Sequence, residues 1–296
     1  MTYSKMFNKA NWFNQIKEPI LWHYTSIDVL DSILRPGGSI KATYYKNESD
    51  KDELLYGRSI WNEIMDKRKW LDRKEQHLWR CVNKCECLST VRDNIFLFCL
   101  TVLEDSLFHW DNYTPEKTGI AIGFQVSRLK DALTNLIISF PDEPPTFKVT
   151  EIRRSPVTFQ VHMDYCKYGN ETDQEKDISV FIDNKVIPHL EQEDTILRIL
   201  QQFYYCEAVV PFIKRERFSS EKEVRIYYSG PNLLKNSNLV GDKQMIDLFP
   251  ATHMIDTIML SPKNEDICYS KVCDIQKKYK TDFSIRFSCH GCNASF

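Results

Sequence analysis

The chain has 296 residues, of which 42% are hydrophobic and 27% are charged, so it can bury a full core in one large domain or two small ones. Its formal net charge of -2 provides no global attraction for nucleic acid or acidic lipid. No apolar run approaches the roughly 20 residues that span a bilayer, and the N-terminus lacks the pattern of a cleavable signal. We therefore expect a cytoplasmic protein that does not enter a membrane.

The first predicted element is a strand over residues 21–26 that passes directly into a helix. Trp22 and Tyr24 alternate with His23 and Thr25, which is the period of a strand. Apolar residues then fall at helical spacing behind a serine N-cap. His23 and Thr25 thus share one face beside a helix N-terminus, a place suited to an anionic or hydroxylated ligand.

Further strands and helices follow without strict alternation. The predicted strands cover residues 39–46, 95–102, 118–126, one or two segments within 147–163, 221–228, 255–260 and 283–288. The predicted helices cover residues 54–82, one or two turns within 104–113, 127–137, 180–206 and 265–279, with a polar loop at 167–177 and a basic turn at 214–217. This mixture predicts an α+β fold rather than a doubly wound parallel sheet.

The proline-rich stretch 141–145 is a candidate domain boundary. The stretches with candidate chemistry lie on both sides of it. We therefore expect one α+β domain over residues 1–296, with helical insertions.

Two aromatic residues of the segment 104–113 are candidates for a ligand wall. Trp110 and Tyr113 lie three residues apart, which places them on one helical face. Ring stacking on a planar ligand adds roughly 0.5–1.5 kcal/mol beyond area burial. Core packing explains the same pattern, and the spacing leaves both readings open.

An acidic pair occupies the start of the strand predicted at 221–228. Glu221, Glu223 and Arg225 point to one face of such a strand. Paired surface charges are the ordinary explanation, although like charges on one face are unfavourable in isolation. A carboxylate beside a breaking glycosidic bond stabilises the positive charge that develops on the sugar carbon, which is the functional alternative.

Ten cysteines are many for a chain without an export signal, and we expect them to be reduced. Five lie among apolar residues and are typical of core positions: Cys99, Cys166, Cys206, Cys268 and Cys273. Two clusters, one around Cys85 and Cys87 and one at Cys289 and Cys292, would together supply four thiolates for a structural zinc. They are about two hundred residues apart and only the second has Cys-x2-Cys spacing, so we expect free thiols and no metal.

The motifs together resemble the bacterial domain-of-unknown-function family 2971. The matching positions are His23–Ser26, Leu30, Ile33, Leu34, Asn47, Glu53, Leu54, Ser106, Leu107, Trp110, Tyr113, Gly119–Phe124 and Phe218–Arg225. The resemblance covers residues 20–262, leaving 1–19 as a leading arm and 263–296 as a C-terminal helix–strand extension. After Asn47 the family usually has Asp-Pro and then Glu, whereas this chain has extra charged residues, which leaves the role of Glu53 open.

A second, more distant resemblance suggests an activity. A strand-borne His followed by Thr and a Leu-x-x-Ile-Leu helix, with a late strand carrying Glu, is similar to ADP-ribosyltransferases. These include DarT-type toxins and RNA 2′-phosphotransferases, which bind NAD in a cleft between two small twisted sheets. The resemblance implies an ADP-ribosyltransferase-like fold of split twisted sheets, with NAD as the substrate.

The same resemblance implies roles for individual residues. His23 and Thr25 would contact an NAD ribose, with Tyr24 beside them. Tyr113 or Trp110 would stack on nicotinamide.

The acidic residues have the catalytic role in this resemblance. Glu223 or Glu221 would hold the 2′-hydroxyl of the nicotinamide ribose and stabilise the oxocarbenium-like transition state. Arg225 completes the expected binding set, and the choice between the two carboxylates stays open.

Three hypotheses for the function result. The first is an NAD-consuming ADP-ribosyltransferase or glycohydrolase in a toxin–antitoxin or phage-defence system, with a protein or nucleic-acid acceptor and an antitoxin partner. The second is a non-catalytic module that senses a nucleotide or a partner protein. The third is a nucleic-acid-acting protein whose phosphate contacts are Lys214, Arg215 and Arg217 together with Arg153 and Arg154, and this third hypothesis is compatible with the first.

Overall fold

The computed structural model describes residues 16–47, 52–67, 77, 94–115, 119–138, 160–169, 178–180, 206, 209–230, 233–263 and 265–290. The strands are β1 (Ile20–Ser26), β2 (Ile40–Tyr44), β3 (Ile95–Thr101), β4 (Gly119–Gln125), β5 (Gln160–Tyr165), β6 (Lys167–Gly169), β7 (Ile213–Arg215), β8 (Glu223–Ser229), β9 (Asn238–Val240), β10 (Lys243–Phe249), β11 (Ile255–Leu260) and β12 (Ser284–Phe287). The helices are α1 (Ile27–Leu34), α2 (Glu53–Lys67), α3 (Leu107–Tyr113), α4 (Val126–Ile138) and α5 (Glu265–Tyr279), with 3₁₀ turns at Tyr45–Asn47, Val210–Phe212 and Glu216–Glu221. This mixed content confirms the predicted α+β class.

Ten of these strands join in one large mixed sheet. Its main path runs β12-β11-β4-β1-β3-β2-β10-β9, and β8 pairs with β3 on one side and β5 on the other. The ladders are antiparallel except that between β11 and β12. Strands β6 and β7 form a separate parallel pair.

The sheet is split beside β3. One edge of β3 pairs with β8 along its whole length. The other edge pairs with β2 at Phe96 and Leu97 and with β1 at Thr101. Because β1 and β2 diverge, the intervening residues 98–100 of β3 have no ladder partner on this edge among the described residues.

The two faces of the sheet carry separate apolar cores. Along β8, Val224, Ile226 and Tyr228 enter the larger core, which α1, α4 and α5 cover. Tyr227, from the opposite face, enters a second core with α2 and the turn Val210–Phe212. The alternation predicted for this strand is therefore confirmed from Glu223 onward.

Several local predictions agree with the structure. Ser26 caps α1 by accepting from the backbone N–H of Val29 at 3.4 Å, and Asp28 lies in the first turn of that helix. The predicted strands at 39–46, 95–102, 118–126, 255–260 and 283–288 correspond to β2, β3, β4, β11 and β12. Among the described helices, none is long and apolar enough to cross a membrane.

Other local predictions were wrong. The strand predicted to start at Glu221 starts at Glu223, because 216–221 form a 3₁₀ turn that ends at Lys222 in the left-handed region (φ 43°). The predicted polar loop begins with β6, the predicted basic turn begins within β7, and β9 and β10 were not predicted. The arm up to residue 15, the boundary at 141–145 and most of the helix predicted at 180–206 lie outside the described residues.

Candidate functional site

A cavity of about 700 Å³ opens where β1 and β2 diverge. Ligand sites for small molecules typically enclose roughly 300–1,000 Å³. The cavity is lined by β1, β3, β8, α1, α3 and the β9–β10 hairpin. Seven of the eight predicted site residues line it: His23, Tyr24, Thr25, Tyr113, Glu221, Glu223 and Arg225.

His23 and Glu223 reach this cavity from different faces of the sheet. Thr101 pairs with Trp22 of β1 and with Glu223 of β8, so these three side chains start on one face. His23 starts on the opposite face, where its ring lies 4.9 Å from that of Phe98. Since both residues line one cavity, the cavity includes the gap between β1 and β2.

The His23 imidazole is held by an edge of β3 that the divergence leaves without a ladder partner. Its Nδ1 lies 3.0 Å from the carbonyl oxygen of Cys99, which can only accept, so Nδ1 carries the proton. Burial lowers the pKa of His23, and the Cys99 hydrogen bond offsets this only in part. The ring is therefore neutral at pH 7, and its Nε2 keeps a lone pair that can accept from a hydroxyl.

The acidic pair is assembled from two elements rather than from one strand. Glu221 ends the 3₁₀ turn and Glu223 begins β8, and both are buried. The ammonium of Lys214 lies 2.5 Å from Oε2 of Glu221 and 2.6 Å from Oε2 of Glu223. One cation thus compensates two carboxylates that would otherwise repel each other in the interior.

Glu223 has a second cationic partner in Arg225, whose side chain is only 2% exposed. The guanidinium donates from Nε to Oε1 at 2.7 Å and from Nη2 to Oε2 at 3.1 Å, and its Nη1 donates to the carbonyl of Pro211. Burial acts to raise the pKa of Glu223, but Arg225 and Lys214 outweigh burial and hold that pKa well below its usual range. Glu223 is therefore a carboxylate at neutral pH.

Tyr113 connects the acidic pair to the mouth of the cavity. Its hydroxyl donates to Oε1 of Glu221 at 2.7 Å, and the residue remains 46% exposed. Burial of the hydroxyl and this hydrogen bond raise the pKa of Tyr113, so the group stays a phenol and a donor. An aromatic face that is partly open to solvent is available here to a planar ligand.

Trp110, the eighth predicted residue, does not line the cavity. It is 2% exposed, its Nε1 donates to Oδ1 of Asp105 at 2.6 Å, and its ring packs edge-on at 4.7 Å against Tyr24. The Tyr24 hydroxyl in turn donates to the backbone carbonyls of Leu103 and Glu104. Trp110 therefore supports the wall of the cavity from behind, while Tyr24 is part of that wall.

His109 lines the cavity and was left without a role in the sequence-based prediction. Its ring stacks 4.8 Å from Tyr24 and lies 5.5 Å from Tyr113. Burial lowers the pKa of His109 to about 4, so the ring is neutral at pH 7. The four-residue spacing between His109 and Tyr113 places them on one helical face, and this signal was available in the sequence.

Lys214 belongs to the site, although the sequence-based prediction gave it a different role. It was predicted as a phosphate contact in a basic turn, but its side chain is buried between the two carboxylates. Arg215 and Arg217 of the same run lie over the rings of Tyr56 and Phe218 at 4.8 and 4.7 Å. The other predicted phosphate contacts, at 153 and 154, lie outside the described residues.

Residues 109–226 match the model of a family described as Protein of unknown function (DUF2971). This match supports the family assignment that the motifs predicted. No curated protein and no solved structure matches the chain.

The matched DUF2971 segment contains one half of the candidate site. It begins at His109 and ends at Ile226, so it includes Tyr113, Lys214 and the acidic pair. The strand β1 that carries His23 lies before it. The cavity therefore joins the family-matched segment to an N-terminal strand outside the match.

Proposed function

We propose that the protein binds NAD in the cavity between β1 and β2 and breaks the bond between nicotinamide and ribose. The observation that carries the proposal is that His23 and Thr25 of β1 line the same cavity as Glu221 and Glu223. These are the positions that the resemblance to ADP-ribosyltransferases implies for ribose binding and for catalysis. The ADP-ribose then passes to a protein or nucleic-acid acceptor, as in a toxin or phage-defence effector, or to water.

The polar groups of the cavity suit the parts of a dinucleotide. The neutral His23 accepts from a ribose hydroxyl through Nε2, and the hydroxyl of Thr25 supplies a second hydrogen-bonding group. The face of Tyr113 is open to a planar nicotinamide ring. Arg35 and Lys243, which also line the cavity, carry positive charge that complements a pyrophosphate.

The chemistry requires negative charge beside the reacting carbon. When the bond between the sugar carbon and nitrogen breaks, its electron pair leaves with neutral nicotinamide and positive charge develops on the ribose. A carboxylate preorganised in a buried site stabilises that charge. The acceptor oxygen or nitrogen then bonds to the same carbon and loses its proton.

The test is a comparison of carboxylate variants of the full chain. Labelled NAD is incubated with wild type, Glu223→Gln, Glu221→Gln and the exposed control Glu216→Gln, and nicotinamide release and label transfer are measured. We expect wild type and Glu216→Gln to agree within about twofold and at least one of the other two variants to lose about 10²-fold or more. The variant with the larger loss identifies the catalytic carboxylate.

Folding has to be controlled in this experiment, because Glu223→Gln leaves the buried Arg225 with a weaker partner. Thermal unfolding of each variant shows whether lost activity is lost structure. If Glu223→Gln and Glu221→Gln both release as much nicotinamide and transfer as much label as wild type, the enzymatic proposal is wrong.

A non-catalytic nucleotide sensor is the second candidate. It is favoured by the ion pairs of Glu223, since both of its carboxylate oxygens already accept from Arg225 or Lys214. A carboxylate held in this way stabilises the fold whether or not it also assists a reaction. A rise in melting temperature with NAD, without nicotinamide release, distinguishes the sensor from the enzyme.

A further inference from the structure

The C-terminal end of the described chain returns to the loop that precedes α3. Oδ1 of Asp105 accepts from the hydroxyl of Ser288 and Oδ2 accepts from the backbone N–H of Cys289, both at 2.8 Å. The ring Nε2 of His290 lies 3.3 Å from the backbone carbonyl of Asp105. Three residues with metal-ligating side chains therefore meet at one place outside the cavity.

One ligand atom from each of Asp105, Cys289 and His290 lies within 4.8 Å of the other two. We propose that these three side chains bind a divalent transition metal, with Zn²⁺ as the ion their chemistry suits best. Carboxylate, thiolate and imidazole are the three ligand types of protein zinc sites, and a thiolate disfavours the harder Mg²⁺ and Ca²⁺. Three protein ligands leave the fourth tetrahedral position for water.

The hydrogen bonds around the cluster leave a coordinating atom on each side chain. Oδ1 of Asp105 accepts from Trp110 and Ser288, and Oδ2 accepts from the Cys289 N–H. The carboxylate also accepts from the Cys289 thiol, so loss of the thiol proton on metal binding returns a lone pair of the carboxylate to the ion. Because Nε2 of His290 donates to a carbonyl, the lone pair of that ring is on Nδ1. A backbone carbonyl on the second ring nitrogen is the usual outer partner of a metal-bound histidine.

The thiol of Cys289 supplies the third ligand. Its side chain hydrogen-bonds to the Asp105 carboxylate, and the thiol is the donor. Metal binding replaces the thiol proton, which is released to solvent as the thiolate coordinates. Both Cys289 and His290 are exposed, so the ion can enter directly from solvent.

Coordination here ties the chain end to the support of the cavity wall. Asp105 already orients the indole of Trp110, which packs against Tyr24. Arg286 forms an ion pair with Glu104 at 2.8 Å, which is a second link between the C-terminal segment and the loop before α3. The ion therefore stabilises the loop from which α3 starts.

The test measures zinc on the full chain after dialysis against a weak chelator. We expect about one Zn²⁺ per chain in wild type and in the control Cys273→Ser, and a loss of affinity beyond tenfold in both Cys289→Ser and His290→Ala. The exposed positions of Cys289 and His290 make misfolding of these variants easy to exclude by thermal unfolding. Bound Co²⁺ should give a thiolate charge-transfer band that Cys289→Ser abolishes.

The proposal is overturned if wild type retains no zinc. It is also overturned if Cys289→Ser and His290→Ala bind zinc as wild type does, which would assign the ion to other cysteines. Neither readout depends on NAD, so a negative result here is independent of the proposed function.

Discussion

His109 and His162 are buried histidines that burial keeps neutral. Burial lowers the pKa of each to about 4, against an ordinary value of about 6.5. His162 lies on β5, where its ring stacks 5.9 Å from that of Tyr227. At this scale the environment of a side chain, more than its type, decides its charge.

The lowered pKa of His162 predicts acid sensitivity. As pH falls below 6.5 the unfolded chain takes up the proton while the folded chain stays neutral, so stability present at pH 7 is lost toward pH 4. For a folded pKa of about 4 this loss is ~2 kcal/mol between pH 7 and pH 5. The free energy of unfolding, measured with urea at the two pH values, should fall less in His162→Gln than in wild type, and the difference should be this amount.

His253 is exposed and provides the matched control. The free energy of unfolding of His253→Gln should fall between the two pH values by as much as that of wild type. If His162→Gln also declines as wild type does, His162 is protonated in the folded state and the proposed neutral burial is wrong.

At the scale of elements, the junction between the 3₁₀ turn and β8 determines where the side chains of Glu221 and Glu223 lie. Lys222 separates the two glutamates, and its φ of 43° lets the chain turn so that both side chains reach Lys214. The hydroxyl of Thr101 donates to the carbonyl of Glu221 at 2.8 Å and fixes the junction to β3. A plain strand from Glu221 onward does not contain this turn.

Substitution of the exposed Lys222 tests this backbone conformation. A β-branched residue tolerates the left-handed region poorly, so Lys222→Val should lose about 1–2 kcal/mol of unfolding free energy. Lys222→Gly removes the same side chain without that strain. Its free energy of unfolding should therefore equal that of wild type or be higher by up to about 0.5 kcal/mol. Denaturant unfolding measures both, and equal stability of the two variants would contradict a strained junction.

At the scale of the whole molecule, Lys214 connects two sheets. It lies on β7 of the small sheet, and its partner Glu223 begins β8 of the large sheet, while Glu221 ends the 3₁₀ turn just before that strand. All three side chains are at most 10% exposed, which makes the pairs buried ones. Removing one member of a buried ion pair leaves uncompensated charge, at a cost of about 3–5 kcal/mol.

Lys214→Met should therefore destabilise the protein by about 3 kcal/mol or more. The double variant Lys214→Met/Glu221→Gln also removes one of the two carboxylate charges that Lys214 compensates. Its loss of unfolding free energy should therefore be about 1–3 kcal/mol smaller than the sum of the losses in the two single variants, and this difference is the coupling energy. The exposed Lys235→Met is the control for loss of a lysine. Strict additivity in this double-mutant cycle would show that Lys214 and Glu221 do not interact.

Much of the local structure followed from sequence because its signals are local. The passage from β1 into α1 shows in the change from period 2 to helical spacing behind Ser26. The alternation along β8 predicted that Glu223 and Arg225 share one face of the strand, which leaves the opposite face for the larger core. The strands β9 and β10 were missed because most of their residues are partly or fully exposed, which leaves little apolar alternation.

The sequence by itself determined the strand–helix units, the α+β class and the residue types of the candidate site. Only the tertiary structure decided that β1 and β2 part beside β3, that Lys214 joins Glu221 and Glu223, and that Asp105 meets Cys289. Strand order and register bring these groups together across long stretches of chain. The spacing of residues along the chain records periodicity within an element, whereas it contains no information on which element lies beside which.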